Sequence, residues 1–297
     1  MDQLKLKEFV LNNPTLVKMR ESNTFPGLHV LKYSKKVFFD DLWNEFLEEC
    51  RGTIVDKDFN VVSRPFTKIY NYGIEKNAPV LSESDVVLAF EKINGFMVAV
   101  TEYNGELLVS TTGSTENDYV TMAKSFIVEE KFKAVLKEYS NHTFMFECVH
   151  KDDPHIIPEK EGLYLLGYRK NGWDSGIETA DLTELAIKFG VFRPFSFITT
   201  VDGLLAEVKK VRNEGFVFYT QSGKSSKIKT PYYLTLKWIA RNPRTDKLLT
   251  EAFMRQIDEE YYPLLHYIRE NIEKFTSLDE QQRLAFIRDF FDNLYER

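Results

Sequence analysis

In "LAFEKINGFMVAV", residues 88 to 100, Lys92 follows a strand-like apolar run and stands three residues before Gly95. A neutral lysine amine is a nucleophile, and a glycine beside it admits close approach of another backbone or a ligand. One Lys-x-x-Gly is expected about once by chance in a chain of this size, so its company decides. Other charges also stand beside apolar runs: Arg51 in "ECRGTIV", Lys68 in "SRPFTKIYNYG", Glu147 in "FMFECVH", Glu214 in "NEGFVFY", and Lys227 and Lys229 in "KIKT". Along a strand Lys227 and Lys229 share a face. Their ammonium groups repel unless an anion such as a phosphate lies between them, or unless they are edge lysines facing water.

Nucleotidyl transfer accounts for these residues together. Lys92 would attack the α-phosphate of a nucleoside triphosphate, and neighbouring cations (Lys227, Lys229 and a divalent metal) would favour the neutral amine it needs. The same cations neutralise charge developing on the phosphate. Glu147 and Glu214 would hold the metal's waters or the ribose.

The elements that must place these groups are mostly β. Residues 1 to 22 read as helical, with Asn13 and Pro14 offering a cap and a first helical position. "LHVLKYS" and "KVFFD" read as strands, "RGTIVDKDFNVVSRPF" and "EGFVFYTQSGKSSKIKT" as hairpins, and "VVLAFEK", "GFMVAVTEY", "GELLVSTT", "TFMFECVH" and "GLYLLGYRK" as further strands. Helical periodicity marks "ENDYVTMAKSFIVEEKFKAVLKEY", "ADLTELAIKFG" and "DGLLAEVKKVRN". After about residue 243 only helical periodicity remains, with Ser277 and Glu280 spaced as a capping box. The reading is an α+β body of antiparallel sheets flanked by helices over residues 1–243, then a small all-α domain over 244–297.

Hydrophobic content of 43% and charged content of 28% fit a globular chain and exclude a low-complexity one. No apolar run approaches a membrane span and the first residues lack a signal-peptide core, so a cytoplasmic setting is expected, the host cytoplasm for a viral protein. Two cysteines, Cys50 and Cys148, build no disulfide framework. The net charge of −6 argues against a generic nucleic-acid binder, but Asp246 to Arg297 carries 12 acidic and 7 basic residues, which leaves the body near neutral. Within that body, residues 223 to 247 carry Lys224, Lys227, Lys229, Lys237, Arg241, Arg244 and Lys247 against one aspartate. Tyr232, Tyr233 and Trp238 interleave with them, as in a groove that meets phosphates and stacks on bases. Cys148, His150, Asp152, Asp153 and His155 have the ligand types of a zinc site, but their spacing is not a standard one and a polar loop is the better reading. His29, His142 and His266 read as structural.

Lys-x-x-Gly, an acidic strand, Glu-Gly-aromatic-Val and Lys-x-Lys occur here in the order of the covalent nucleotidyltransferases, the ligases and capping enzymes. With "ECRGTIVD", "SRPFTKIYN" and "KIKTPYYLTL", residues 30 to 240 most resemble the phage-type RNA ligase 1 family of tRNA-repair ligases. The resemblance implies a nucleotidyltransferase fold and an ATP-dependent enzyme with Mg2+ or Mn2+. It would join 5′-phosphate and 3′-hydroxyl RNA ends, such as those of a broken tRNA, through lysyl-AMP and RNA-adenylate, as a monomer with no membrane partner. It makes Lys92 the adenylylated residue, helped by Lys227 and Lys229. Arg51 and Lys68 would contact phosphates, Tyr70 would wall the nucleotide, and Glu91 would help read the adenine, with Val217 against it. Gly95 would let the backbone pass close to the nucleotide. Glu147 would act on the ribose or the metal's water, and Glu214 on the metal through water.

Two positions depart from the family pattern. Asn94 replaces the usual aspartate and brings no negative charge to a metal shell. Thr112 stands where a basic residue commonly precedes Gly-Ser. A DNA nick sealer and a non-catalytic end-binding protein remain open, the first disfavoured because helices rather than a β domain follow "KIKT".

Overall fold

A computed structural model describes residues 2–241 and 259–296. The strands form three four-stranded sheets in which every ladder is antiparallel. The first sheet runs in chain order through β1 (Val17–Glu21), β2 (His29–Tyr33), β3 (Arg51–Val55) and β4 (Val61–Ser63). The second has the order β10 (Ser196–Thr200), β5 (Val86–Glu91), β11 (Gly215–Thr220), β12 (Ser225–Lys229). The third has the order β7 (Glu106–Ser110), β6 (Phe96–Tyr103), β8 (His142–Val149), β9 (Gly162–Lys170).

Contacts divide the chain into two units, Met1–Lys68 with Asn94–Pro194, and Ile69–Ile93 with Phe195–Arg297. The domain boundary expected at 243 lies outside the described residues. Among the described residues no helix is long and apolar enough to cross a membrane.

The first unit holds the first and third sheets. Helix α1 (Gln3–Asn12) is capped by Asp2, whose carboxylate accepts from the amides of Leu4 and Lys5. Leu6 and Val10, four apart, therefore face one way, into a core with Val17, Leu31, Leu47, Cys50 and Val55. In the third sheet Phe144, Phe146 and Cys148 on β8 are fully buried. Helices α5 (Glu129–Glu138) and α6 (Leu182–Phe189) supply Phe132 and Phe189, which pack against Phe146 at 5.6 and 5.5 Å. Burying each such ring contributes about 1.5–3 kcal/mol.

In the second unit the period of two is read directly from burial. Val87 and Ala89 of β5, Phe216 and Phe218 of β11 and Ile228 of β12 form one core with Val201, Leu204 and Val208 of α7 (Val201–Val208). Their neighbours in sequence, including Phe90, Val217, Lys227 and Lys229, project to the opposite face.

Three local expectations are corrected. Asn13 ends a helix instead of starting one, its side-chain amide donating to Phe9 O, and Val17–Glu21 is a strand because the edge of β2 pairs with all five of its residues. "KVFFD", residues 36–40, falls largely in the short helix α2 (Lys35–Phe39), since both edges of β2 are already taken by β1 and β3; so short an apolar run cannot declare its own period. Ser277 closes a helix with its hydroxyl on Lys274 O, and the capping box is Asp279 with Gln282, two residues further on.

Gly95 leads into β6, where Phe96 pairs with Cys148 of β8. A Cβ at Gly95 would lie 2.3 Å from Cys148 O, so the glycine is demanded by the neighbouring strand itself. Gly95→Ala should cost about 1–3 kcal/mol by forcing the strands apart, read as a lowered Tm; an unchanged Tm would contradict this packing.

Candidate active site

The register of the second sheet brings Lys92 to its partners. Phe216 pairs with Glu91, and the next rung places Lys92 beside Gly215, with the Lys92 amide donating to Gly215 O at 2.9 Å. On the other side Gly215 pairs with Lys229. Lys92, Gly215 and Lys229 thus form one rung, with no side chain between the two lysines. Nothing but glycine fits there: Gly215 has φ +145°, and a Cβ would lie 2.0 Å from Ile228 O.

Glu214, one residue before that rung, is buried and straddles it. Its Oε2 lies 3.0 Å from Lys92 Nζ and its Oε1 3.6 Å from Lys229 Nζ. Its backbone is tied down because Glu214 O accepts from the Thr230 amide at 3.0 Å. Thr230 then starts α8 (Pro231–Arg241), its hydroxyl accepting from the Tyr233 amide at 3.0 Å.

Lys227, Val217 and Phe90 form a rung two further on, on the same face of the sheet. Tyr70 is buried, and its carbonyl accepts from the Lys227 amide at 2.9 Å and the Ser226 hydroxyl at 2.7 Å. Glu91 Oε1 accepts from Asn213 Nδ2 at 2.9 Å.

The anions that the paired lysines call for are carboxylates of the chain itself. Lys229 and Lys237 both donate to Glu260 Oε1 at 2.7 Å, and Lys227 Nζ lies 3.7 Å from Glu259 Oε1. Burial by itself would raise the Glu260 carboxyl, but Lys229, Lys237 and Lys227 overcome it and hold the group well below the ordinary carboxylate range. Burial would lower Lys229, yet Glu260 and Glu214 keep it well above the ordinary lysine value.

The expected basic groove with stacking rings is corrected in part. Tyr233 and Trp238 are buried, Tyr233 beneath the ammonium groups of Lys229 and Lys237 and Trp238 against Tyr261 at 5.1 Å. Helical spacing turned these residues inward, while Tyr232 stays exposed beside Arg212. Arg244 and Lys247 lie outside the described residues.

Arg51, Lys68, Asn94, Gly95 and Glu147 belong to the first unit. Glu147 is buried on β8 between Met97 of β6 and Tyr164 of β9. Lys68 is buried with its ammonium over the Trp43 ring at 4.8 Å. Asn94 is buried too, and its Oδ1 accepts from the Ile157 amide at 3.0 Å, so it holds the loop after β8. Arg51 opens β3 opposite Lys32. Burial first, then Arg51 and Lys18, push the Lys32 ammonium down. Lys32 Nζ lies 2.9 Å from where a Gly113 Cβ would stand, so a cation lies against the Thr112-Gly113 turn although residue 112 is not basic. His150 and His155 bond within their own loop, to the Asp152 amide and the Asp153 carboxylate. Cys50 and Cys148 are free and buried, and burial, helped by Glu49 and Glu147 respectively, pushes each thiol up to about 12.

Among the described residues no three His, Cys, Asp or Glu side chains group as metal ligands. The donor set suits a cation arriving on a nucleotide's phosphates, held by one or two carboxylates and water. Sequence reasoning missed Glu259 and Glu260 altogether, and named Lys237 only within the basic stretch. The one signal for the pair was two adjacent acids just before a helix.

A family profile described as RNA ligase matches residues 49–233, more than half of the chain. A putative bifunctional polynucleotide kinase/RNA ligase of Autographa californica nuclear polyhedrosis virus is 23% identical over 278 residues, covering 84% of this chain and 39% of that protein. The chain therefore spans about two fifths of that relative's length. Two solved structures share the fold at TM-score 0.61: a putative ATP-dependent DNA ligase from Aquifex aeolicus, 18% identical over 99% of this chain and 78% of its own, and an archaeal ATP-dependent RNA ligase, 16% identical over 98% and 76%. These likenesses define the nucleotidyltransferase fold of the ATP-dependent ligases. Within that class the chain belongs to the RNA ligase family, in its phage-type RNA ligase 1 group.

The buried cluster has a pH signature. Glu260 is depressed in the fold, so its share of stability is present above the unfolded carboxyl value of about 4.3 and is lost as pH falls below it. Lys229 is raised, so its share is full below about 10.4 and is lost as pH rises through its folded value. Unfolding midpoints should be level between about pH 5 and 10 as far as this pair is concerned. Glu260→Gln should flatten the acid limb, and an acid limb identical to wild type would contradict the assignment.

Proposed function

We propose that the chain is an ATP-dependent RNA ligase that joins 5′-phosphate and 3′-hydroxyl ends, and that Lys92 is its nucleophile. The observation that carries this reading is the rung Lys92–Gly215–Lys229 with Glu214 across it, inside the residues that match the RNA ligase family.

In the ion pair Lys92 is an ammonium and cannot attack. Once it is neutral, its Nζ bonds to the α-phosphorus of ATP as the bond to the β-phosphate oxygen breaks, and pyrophosphate leaves with that electron pair. Glu214, 3.0 Å away, is the carboxylate placed to receive the proton the amine sheds. Lys227 and Lys229 stand on the same sheet face and offset charge building on the phosphates. A divalent cation, Mg2+ or Mn2+, would be held through water by Glu214 and would supply further neutralisation of phosphate charge; Glu147 and Asn94, of the first unit, are further candidates for a metal's waters. An oxygen of the RNA 5′-phosphate then displaces Lys92 from the AMP phosphorus. The 3′-hydroxyl next attacks the activated 5′-phosphate and releases AMP. Arg51 and Lys68 would supply cations for the phosphates, and Tyr70 and Val217 would frame the nucleotide; Glu91, which alternates to the other face with Phe216 and holds Asn213, is left out of that frame. Broken tRNA is a fitting substrate, a monomer acting in the host cytoplasm the fitting setting, and two buried thiols suit a reducing compartment.

Incubation with α-labelled ATP and Mg2+ should leave a covalent label on denatured wild type and none on Lys92→Ala. Lys229→Ala should slow labelling about 100-fold or more. Absence of any label on wild type would overturn the enzyme reading in favour of an end-binding protein. Matched RNA and DNA ends, offered next, should show joining of RNA; equal or better joining of DNA would make the chain a DNA nick sealer.

A further inference from the structure

Lys229 and Lys237 meet on a single atom. Each ammonium lies 2.7 Å from Glu260 Oε1, and all three side chains are buried. One acceptor oxygen bridging two buried cations is the arrangement of a phosphate oxygen in a lysine-lined site. Beside it Glu259 Oε1 lies 3.7 Å from Lys227 Nζ and accepts from Asn71 Nδ2 at 3.2 Å.

Lys237 is delivered to this point by α8. It stands four residues after Tyr233, so the two share a helix face, and the Tyr233 ring lies under both ammonium groups at 5.2 and 5.8 Å. The Tyr261 ring, 5.7 Å from Lys237 Nζ, packs its other side. Two rings therefore aim the amine at the position of the Glu260 oxygen.

The charge count points the same way. Lys92, Lys227, Lys229 and Lys237 here face Glu214, Glu259 and Glu260, four cations against three carboxylates. Withdrawal of the two adjacent glutamates removes two of those three negative charges, which a polyphosphate would replace.

We propose that Lys237 is a phosphate-binding residue of this site, and that Glu260, with Glu259, occupies the phosphate position until a nucleotide's polyphosphate displaces it. The inference rests on Lys92 being the adenylylated lysine. A carboxylate tethered in place competes at a high effective concentration, so it lowers the apparent affinity for phosphate. Weakening the glutamate therefore tightens phosphate binding, whereas removing Lys237 loosens it. A merely structural ion pair produces no such opposition of sign.

Inorganic tripolyphosphate is titrated calorimetrically into wild type, Glu260→Gln, Lys237→Met and Lys237→Arg, with Tm recorded for each and lysyl-AMP formation followed in parallel. Glu260→Gln should bind about fivefold tighter or more, and Lys237→Met about tenfold weaker, the loss of one charge-assisted hydrogen bond. Lys237→Arg should recover most of that loss. Wild-type affinity in Lys237→Met, or shifts of the same sign in Glu260→Gln and Lys237→Met, would overturn the proposal. Should Glu260→Gln fail to fold, Lys237→Met against Lys237→Arg decides. Wild type that binds tripolyphosphate but forms no lysyl-AMP would sink the ligase reading, with the titration still reporting on Lys237 and Glu260.

Discussion

Everything in the candidate site of the second unit depends on one buried carboxylate shared by two lysines of the same rung. Glu214 can stand between Lys92 and Lys229 only because Gly215 leaves the middle of that rung empty. The strands around it are fixed by their core face, where Val87, Ala89, Phe216, Phe218 and Ile228 close on α7. A slip of one residue would turn those apolar groups outward and the lysines inward. Packing on one face of the sheet therefore sets the chemistry on the other.

Burying so many charges is costly unless each is paired and hydrogen-bonded. Glu259 and Glu260 meet that demand, and they come from just before α9 (Tyr262–Glu270), far along the chain from β12. The described C-terminal segment is thus joined electrostatically to Lys227, Lys229 and Lys237 of its own unit. Tyr295 adds a further tie, its hydroxyl donating to Lys229 O at 2.9 Å. The acidic balance of the C-terminal stretch acquires a local meaning from this contact: part of it neutralises the site.

Much of the fold was legible because strand burial follows a period of two and the hairpins carry their own turns. The failures were short pieces. "KVFFD" and residues 14–22 offer too few residues to declare a period, and the neighbouring edge of β2 decided both. The aromatic residues after "KIKT" were read as stacking platforms, but helical geometry sends Tyr233 and Trp238 into the core.

By itself the sequence determined the site residues as types in an order: a lysine before a glycine, acids at strand ends, paired lysines on one face. Those are local facts, and periodicity and motif order carry them. Only the tertiary structure decided which anion the lysines hold. Ion pairing depends on distance in space, and Glu260 lies 31 residues from Lys229 in the chain yet 2.7 Å from it in the fold. It likewise decided that Gly95 is required by the carbonyl of Cys148, since only sheet pairing brings that atom within reach.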